Sequence, residues 1–246
     1  METSNEAMVK RLAEIERRMA TACDRAWRKK ESVKLVAVSK MFPAEAVDEA
    51  RKAGLQLFGE SRIQEAAEKI DQCGSAEWHF VGHLQRNKAK TAVSLFSMIH
   101  AVDTVPLLEA LAACMKETGR RPALLLEVNV AGDGAKFGFP PALVPGALRR
   151  AAALHIPVAG FMTMTPMITA EATRQYYHRL CALRDRWQDD FSTSFPELSM
   201  GMSHDFEVAI EEGATLIRIG TGIFGKRPSL RKKQDASGEQ ESTPSE

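Results

Sequence analysis

The sequence predicts a single (β/α)8 barrel of the TIM type, with an extra helix at its amino terminus and a polar tail after it. Eight short segments are apolar almost without interruption, which is typical of strands buried on both faces of a parallel sheet. Helical patterns separate these segments, and 246 residues is the length that eight such units require. A doubly wound open sheet is the alternative that the same alternation allows.

The elements follow in order along the chain. A leading helix is predicted over residues 3–30, where apolar side chains repeat at spacings of four and three, and Thr3 and Glu6 have capping-box spacing. Strands are predicted at 33–40, 55–60, 77–84, 97–103, 122–130, 156–164, 197–201 and 215–220. The helices between them are predicted at 43–54, 61–71, 140–155, 169–189 and 203–212. Two more are predicted without exact bounds: a basic helix that contains Asn87, Lys88 and Lys90, and a helix rich in leucine and alanine that follows the fourth strand and ends at Gly119.

The chain is predicted to form one domain. No linker-like composition interrupts residues 31–227, so residues 1–228 are assigned to the barrel and its leading helix. Residues 229–246 are polar and charged, and we expect this tail to be disordered.

Composition narrows the class of protein. With 33 basic and 32 acidic side chains the net charge is +1, which predicts no general affinity for nucleic acid or membrane surfaces. No apolar run approaches the roughly 20 residues that span a bilayer. The four cysteines are widely spaced and the amino terminus is charged, so we expect reduced thiols in a cytoplasmic protein. His79 and His83 lie four apart on a predicted strand, which is not a zinc pattern, and no metal site is predicted.

Lys40 ends the first predicted strand, on the same side of the pleat as Val36 and Val38. Most lysines in this position extend along their own stems to water. In a barrel, however, active groups lie at the carboxyl ends of the strands, and phosphate is held by the loops after strands seven and eight. Lys40 is therefore a candidate for chemistry if those two loops can bind an anion.

The two loops have suitable residues. Ser203, in SMGMSHDF, could cap the next helix or offer its hydroxyl to an anion, although Asp205 and Glu207 nearby would oppose a phosphate. The glycines of the turn after strand eight would let backbone amides approach an anion closely, at Gly220, Thr221 and Gly222. Each signal is weak alone, and together they favour a phosphate site.

Arg218 precedes Gly220 by two residues and so is expected to face the barrel interior, where Glu127 could be its structural partner. A phosphate site beside a strand-end lysine suits a ligand that carries both a phosphate and an aldehyde. Pyridoxal phosphate fits this description, and its aldehyde would form a Schiff base with the unprotonated amine of Lys40.

Ordered motifs run from Val33 to Gly225: AVSK (37–40), FGE with QE (58–65), WHFVGHLQ (78–85) with Asn87 and Lys88, VNV (128–130) with Lys136 and Gly138, GFMTM (160–164), LSMGMSHDFEVAI (198–210) and RIGTGIFG (218–225). Through these motifs the chain resembles the pyridoxal phosphate homeostasis protein family, whose fold is that of the amino-terminal barrel domain of alanine racemase. The family usually has asparagine where this chain has Ser61, so a ring contact made by that asparagine is not carried over to Ser61.

The resemblance implies a role for each matching residue. Lys40 would be the Schiff-base lysine and Met162 would lie near the ring. The phosphate would be held by Ser203, Gly220 and Thr221, while Arg218 would approach the pyridine nitrogen. The resemblance also implies a monomer.

Three functions remain open. The first is a carrier that holds pyridoxal 5′-phosphate in intracellular homeostasis and passes it to apo-enzymes. The second is an amino-acid racemase of low activity, which needs a second base such as His83 or His204; Tyr176 and Tyr177 are expected to have packing roles. The third is a barrel enzyme for a phosphorylated metabolite. A cation at Arg218 would keep the pyridine nitrogen unprotonated and the ring a poor electron sink, which disfavours strong transaminase or decarboxylase chemistry but leaves a racemase with Lys40 as one base open.

Overall fold

Eight parallel strands close into a barrel in sequence order in the computed structural model, which describes residues 4–74, 76–134 and 136–226. The strands are β1 (Lys34–Val38), β2 (Leu57–Glu60), β3 (Glu77–Phe80), β4 (Met98–Val102), β5 (Ala123–Glu127), β6 (Val158–Met162), β7 (Glu197–Ser199) and β8 (Leu216–Ile219). β1 pairs with both β2 and β8, with Ala37 opposite Phe58 and Val36 opposite Arg218. The predicted closed barrel is confirmed, because an open sheet would leave two edges unpaired.

Helices surround the barrel and precede it. Within the described residues they are α1 (Ser4–Arg25), α2 (Ala44–Lys52), α3 (Ile63–Cys73), α4 (Ala89–Leu95), α5 (Val105–Thr118), α6 (Val144–Ala153), α7 (Ala170–Phe191), α8 (Phe206–Glu211) and α9 (Thr221–Phe224). The leading helix is confirmed but ends before residue 30, because Trp27 adopts a left-handed φ of 54°. The capping residue Thr3 and the tail at 229–246 lie outside the described residues.

The strands are shorter than the apolar runs that predicted them. The run at 33–40 pairs only over β1, yet Ser39 is fully buried beyond the last paired residue. Thr163 is likewise buried just after β6. Burial therefore continues one residue past each assigned strand, and so does interstrand hydrogen bonding, because the amides of Ser39 and Thr163 donate to the carbonyl oxygens of Gly59 and Ser199.

The core has two layers. The larger lies between the strands and the surrounding helices and contains most of the aromatic side chains. The smaller fills the barrel interior with Val36, Met98, Ala101, Leu125, Met162 and Leu216. This interior is a packed layer rather than a pore, as expected for eight strands.

The extra helix α1 packs against α8 and α9, the helices that follow β7 and β8. Nε of Arg11 donates to the carbonyl oxygen of Ile223 at 2.8 Å, and Nε of Arg18 donates to Glu207 at 2.6 Å. These bonds tie α1 to the two segments that carry the predicted phosphate loops. Among the described residues, none of the helices has the length and apolar character needed to cross a membrane.

Candidate functional site

The predicted site residues meet at the carboxyl-terminal face, around a cavity of about 420 Å³ between the ends of β1, β7 and β8. Its walls are Val38, Lys40, Val81, Met164, Met167, Met202, Ser203, His204, Arg218, Gly220 and Thr221. Five of the six residues that the sequence selected thus line one cavity. This agrees with the placement of active groups in barrels.

Met162 is the residue that does not line this cavity. It belongs to the interior layer and is 2% exposed. Met164 and Met167 line the cavity instead, and Met167 is 82% exposed at its rim. Met162 was expected near the ring from the family resemblance, whereas Met164, two residues further along and on the same side of the pleat, is the methionine that lines the cavity.

The backbone around Lys40 is held by neighbouring elements. The Ser39 amide donates to the carbonyl oxygen of Gly59 at 3.0 Å, and the Phe42 amide donates to that of Ser39 at 3.0 Å. Met41 has a left-handed φ of 66°, and its amide donates to Oε2 of Glu65 at 3.0 Å. Lys40 is half-buried in this fixed turn, and its side chain enters the cavity.

A buried ion pair supports the turn, and sequence reasoning missed it. Nζ of Lys69 contacts the carboxylate of Glu60 and donates to the carbonyl oxygen of Ser39 at 2.8 Å. The Ser39 hydroxyl donates to Oε1 of Glu60 at 2.7 Å. The signal was available in α3, because Lys69 follows Ala66 by three residues on the buried side of an amphipathic helix. Lys69 therefore positions the turn and is not a second reactive amine.

The loop after β7 differs from its prediction. Helix α8 begins at Phe206 with Asp205 at its N-cap position, so the predicted capping role of Ser203 is wrong. Asp205 accepts hydrogen bonds from the Met202 amide at 2.7 Å and from the Tyr177 hydroxyl at 2.6 Å. Both of its carboxylate oxygens are thereby occupied inside the protein.

Ser203 faces the turn after β8 instead. Its Oγ lies 3.4 Å from the amide nitrogen of Gly222 and 3.5 Å from Oγ1 of Thr221. The turn packs tightly against its surroundings, since a Cβ on Gly220 would lie 3.1 Å from the carbonyl oxygen of Val38. Two hydroxyls and a backbone amide thus converge, joined by long hydrogen bonds that a bound anion could replace with shorter ones.

Electrostatics at the cavity favour an anion. Lys40 and Arg218 are both in its lining, whereas the lining contains no carboxylate. Of the two acidic residues expected to oppose a phosphate, Asp205 is fully buried in its own hydrogen bonds, and Glu207 is paired with Arg18 at 2.6 Å. The repulsion expected from the sequence is therefore reduced.

Arg218 faces the barrel interior, as its position in β8 predicts, and is 6% exposed. Its guanidinium donates to Oγ of Ser199, to the carbonyl oxygen of Thr163 at 3.0 Å and to Sδ of Met164 at 3.2 Å. Burial lowers the pKa of Arg218, and the charges of Tyr177, Glu127 and Asp205 oppose this effect. An arginine remains a cation at neutral pH even so.

Glu127, the predicted structural partner, makes no hydrogen bond with Arg218 among the contacts of the described residues. Burial raises the pKa of Glu127 to about 7, with a further contribution from the neighbouring charge of Asp103. Arg218 acts in the opposite direction and lowers it. The arginine is thus held by neutral acceptors rather than by a hydrogen-bonded carboxylate.

The two candidate second bases differ in place. His204 lines the cavity, and its Nε2 lies 3.4 Å from Oδ2 of Asp205 without the geometry of a hydrogen bond. His83 borders a separate cavity of about 220 Å³ with Ser61. Its Nδ1 is 2.9 Å from Oδ2 of Asp103, and its ring stacks on Phe137 at 3.8 Å between centroids. Only His204 is thus close to Lys40.

Comparisons with known proteins agree with this geometry. The family described as alanine racemase, N-terminal domain, matches residues 11–228. A pyridoxal phosphate homeostasis protein of Aquifex aeolicus is 39% identical over 221 residues, covering 88% of this chain and 97% of that protein. One from Pseudomonas aeruginosa is 37% identical over 220 residues, covering 88% and 94%. The structure of PipY from Synechococcus elongatus PCC7942 with PLP bound has a TM-score of 0.78 at 36% identity, covering 89% of this chain and 100% of that one. The chain therefore belongs to the alanine racemase N-terminal domain family and, within it, to the pyridoxal phosphate homeostasis proteins.

Proposed function

We propose that this protein binds pyridoxal 5′-phosphate and acts in its intracellular homeostasis, holding the cofactor as a Schiff base on Lys40. The observation that carries the proposal is the shared cavity, in which Lys40, Arg218 and the donors around Ser203 surround one space. PipY, which is 36% identical to this chain, has been solved with PLP bound, and this supports the same ligand here.

Each residue has a defined task in this proposal. When bound, the cofactor supplies an aldehyde, and condensation with the amine of Lys40 forms one C=N double bond and releases one water. Ser203, Thr221 and the turn at Gly220 donate hydrogen bonds to the phosphate. Arg218 holds a positive charge toward the pyridine nitrogen and keeps that nitrogen unprotonated.

A carrier suits the cavity better than an amino-acid racemase does. An unprotonated pyridine nitrogen stabilises carbanions poorly, so proton abstraction from an amino acid is slow. Met164 and Met167 are exposed at the rim, which leaves the ligand open to exchange with solvent. The racemase is the second candidate, and the observation that favours it is His204 in the cavity lining.

The setting of this function is also a proposal. We propose that the protein acts as a monomer in the cytoplasm and passes its ligand to apo-enzymes that depend on pyridoxal phosphate. The cysteines support a reducing compartment, since all four in the chain are free thiols and Cys23 and Cys73 are buried.

The first experiment tests attachment to Lys40. Purified protein is incubated with pyridoxal 5′-phosphate, reduced with borohydride and digested, and the modified lysine is identified by mass spectrometry. We expect the label on Lys40, and we expect a yellow wild type but a colourless Lys40→Ala variant. Lys88→Ala is the matched control, because Lys88 is also half-buried and borders the neighbouring cavity. A colourless wild type, or a label on another lysine, would refute the proposal.

A second experiment separates the carrier from the racemase. Loss of α-deuterium from labelled amino acids is followed by mass spectrometry in the wild type and in His204→Leu. We expect slow exchange that the substitution leaves unchanged. His83→Leu is the control for a histidine outside the cavity. Fast exchange that disappears only in His204→Leu, together with formation of the opposite enantiomer, would favour the racemase instead.

A further inference from the structure

A chain of hydrogen bonds crosses the interior of the barrel and ends at the cavity. Oε1 of Glu77 lies 3.1 Å from Nε2 of His79, and Nδ1 of His79 lies 3.0 Å from Nε2 of His100. Nδ1 of His100 lies 2.8 Å from Oγ of Ser199, which in turn accepts from Nη1 of Arg218. The five side chains come from β3, β4, β7 and β8, so the chain joins opposite walls of the barrel.

This polar chain lies in a dry environment and has one wet end. His100 and Ser199 are fully buried and His79 nearly so. Glu77 begins β3 at the amino-terminal face of the barrel, and its side chain is 57% exposed. A solvent-exposed carboxylate is thus connected through the interior to the arginine in the cavity at the opposite face.

The chemistry of its ends gives the chain one direction. Arg218 can only donate, so Oγ of Ser199 accepts from it. The Ser199 hydroxyl hydrogen has one acceptor within reach among the described residues, which is Nδ1 of His100. His100 then carries its proton on Nε2 and donates to Nδ1 of His79, which donates from its own Nε2 to Glu77. With both imidazoles neutral, every donor along the path from Arg218 to Glu77 has an acceptor.

The ionisation of the groups agrees with this direction. Burial is the main cause that lowers the pKa of His100 well below its ordinary value, and the positive charge of Arg218 acts in the same direction, so His100 is neutral. The hydrogen bond from His79 lowers the pKa of Glu77 to about 2, so Glu77 is an anion at neutral pH. The bond dipoles then all point the same way, with acceptors toward the cation and hydrogens toward the carboxylate.

We propose that Ser199, His100, His79 and Glu77 form a positioning relay that fixes the guanidinium of Arg218 in the cavity and couples it to the Glu77 carboxylate. Arg218 has no hydrogen-bonded carboxylate of its own in the described residues, so the oriented relay supplies part of its electrostatic stabilisation. The orientation of Arg218 follows as well, because Nη1 is directed to Ser199 while Nη2 donates to Thr163. The consequence for the cofactor rests on the proposed function, whereas the relay itself does not.

The first test needs no ligand. Imidazole nitrogens of the apo protein, labelled with ¹⁵N-histidine, are assigned by His→Gln substitutions and observed by long-range ¹H–¹⁵N spectroscopy at neutral pH. We expect His79 and His100 to be neutral and protonated on Nε2. In Ser199→Ala we expect His100 to lose its single tautomer, and in Ser199→Thr, which keeps the hydroxyl, to retain it. His100 protonated on Nδ1 beside a doubly protonated His79 would overturn the proposed direction.

The second test measures coupling across the barrel. Pyridoxal 5′-phosphate is titrated into the wild type, Ser199→Ala and Glu77→Gln, and the absorption spectrum and half-saturation concentration are recorded. We expect Ser199→Ala to weaken binding about 10-fold, the loss of one charge-assisted hydrogen bond. Glu77→Gln should also weaken binding, and both substitutions should shift the absorption spectrum of the bound cofactor in the same direction relative to the wild type. Glu117→Gln is the matched control, because the side chain of Glu117 is similarly exposed, at 60%, and also accepts a hydrogen bond from another side chain.

The outcomes distinguish the relay from the proposed function. If no variant binds the cofactor, and the wild type also fails, the proposed function is wrong while the tautomer result still decides the relay. If the wild type binds but Glu77→Gln and Ser199→Ala have its spectrum and affinity, the coupling is refuted. Glu77 is exposed, so Glu77→Gln is expected to fold even if Ser199→Ala does not, and thermal unfolding of each variant checks this.

Discussion

Glu127 offers a test of the electrostatics around Arg218. It ends β5, is 7% exposed, and its pKa is raised to about 7 from 4.5, first by burial and next by the charge of Asp103. Replacing it with glutamine keeps the size and polarity of the side chain but removes the ionisation. We predict that Glu127→Gln abolishes a pH-dependent loss of stability that the wild type suffers between about pH 5 and 8.

The sign follows from linkage. The folded-state pKa of Glu127 lies above the unfolded value, so the folded protein binds this proton more tightly. The contribution to stability is fully present below pH 4.5 and is lost as the pH rises through about 7. At 1.36 kcal/mol for each pH unit between the two values, the free energy of unfolding falls by about 3 kcal/mol, an order-of-magnitude figure.

The assay is urea denaturation at several pH values, followed by the fluorescence of Trp78 and Trp187, both buried. The difference in unfolding free energy between Glu127→Gln and the wild type should shift in favour of the variant by about 2 to 3 kcal/mol as the pH rises from 5 to 8. For Glu117→Gln, at an exposed position, the free energy of unfolding should have the same pH dependence as in the wild type. Parallel curves for the wild type and Glu127→Gln would refute the raised pKa.

Three further predictions concern the site and its support. Ser203→Ala should weaken retention of pyridoxal 5′-phosphate about 10-fold in a titration, because a hydrogen bond to a charged group is lost. The urea midpoint should stay close to that of the wild type, and equal retention by the two proteins would contradict the assignment of Ser203 to the phosphate site. Lys69→Met should lower the free energy of unfolding by about 3 to 5 kcal/mol because Glu60 is left buried without its partner, and Lys69→Met combined with Glu60→Gln should recover part of that loss in the same urea assay. Gly160→Ala would place a Cβ 1.8 Å from the backbone carbonyl oxygen of Glu197 in β7. Thermal unfolding should therefore show that the free energy of unfolding falls by at least about 3 kcal/mol. A stability equal to that of the wild type would disprove the close packing of β6 against β7.

The fold could be predicted from the sequence because each of its signals is local. An apolar run of about five to nine residues identifies a buried strand wherever its partners lie, and the barrel then places the carboxyl end of every strand at one face. This reasoning found Lys40, Ser203, Gly220 and Thr221, since each lies at the end of a predicted strand or within two residues after it. Where the hydrogen-bond ladder ends is not local, because it depends on the neighbouring strand. Met162, by contrast, was expected from the family resemblance and not from a strand end, and Met164 lines the cavity in its place.

The supporting contacts could not be predicted for the same physical reason. His100 meets Ser199 across 99 positions of sequence, and Lys69 meets the turn at Ser39 across 30. Neither spacing corresponds to the period of a helix or strand. The predicted capping role of Ser203 was wrong for a different reason. Serine is a suitable N-cap residue, but Asp205, two residues later, occupies the N-cap position. Local preference identified the kind of residue needed, and tertiary contacts decided which one performs the task.

These contacts also explain why a cation is kept in the floor of the cavity. A buried guanidinium without a hydrogen-bonded carboxylate costs stability, and an apolar side chain would fill the same layer at lower cost. Glu127 is one carboxyl group whose charge acts on Arg218, yet its pKa of about 7 leaves it partly protonated at neutral pH. Glu77, the anion to which Arg218 is linked, lies at the opposite face of the barrel. An incoming anionic ligand therefore meets two cations, Lys40 and Arg218, in a lining that contains no carboxylate, and this arrangement favours anion binding.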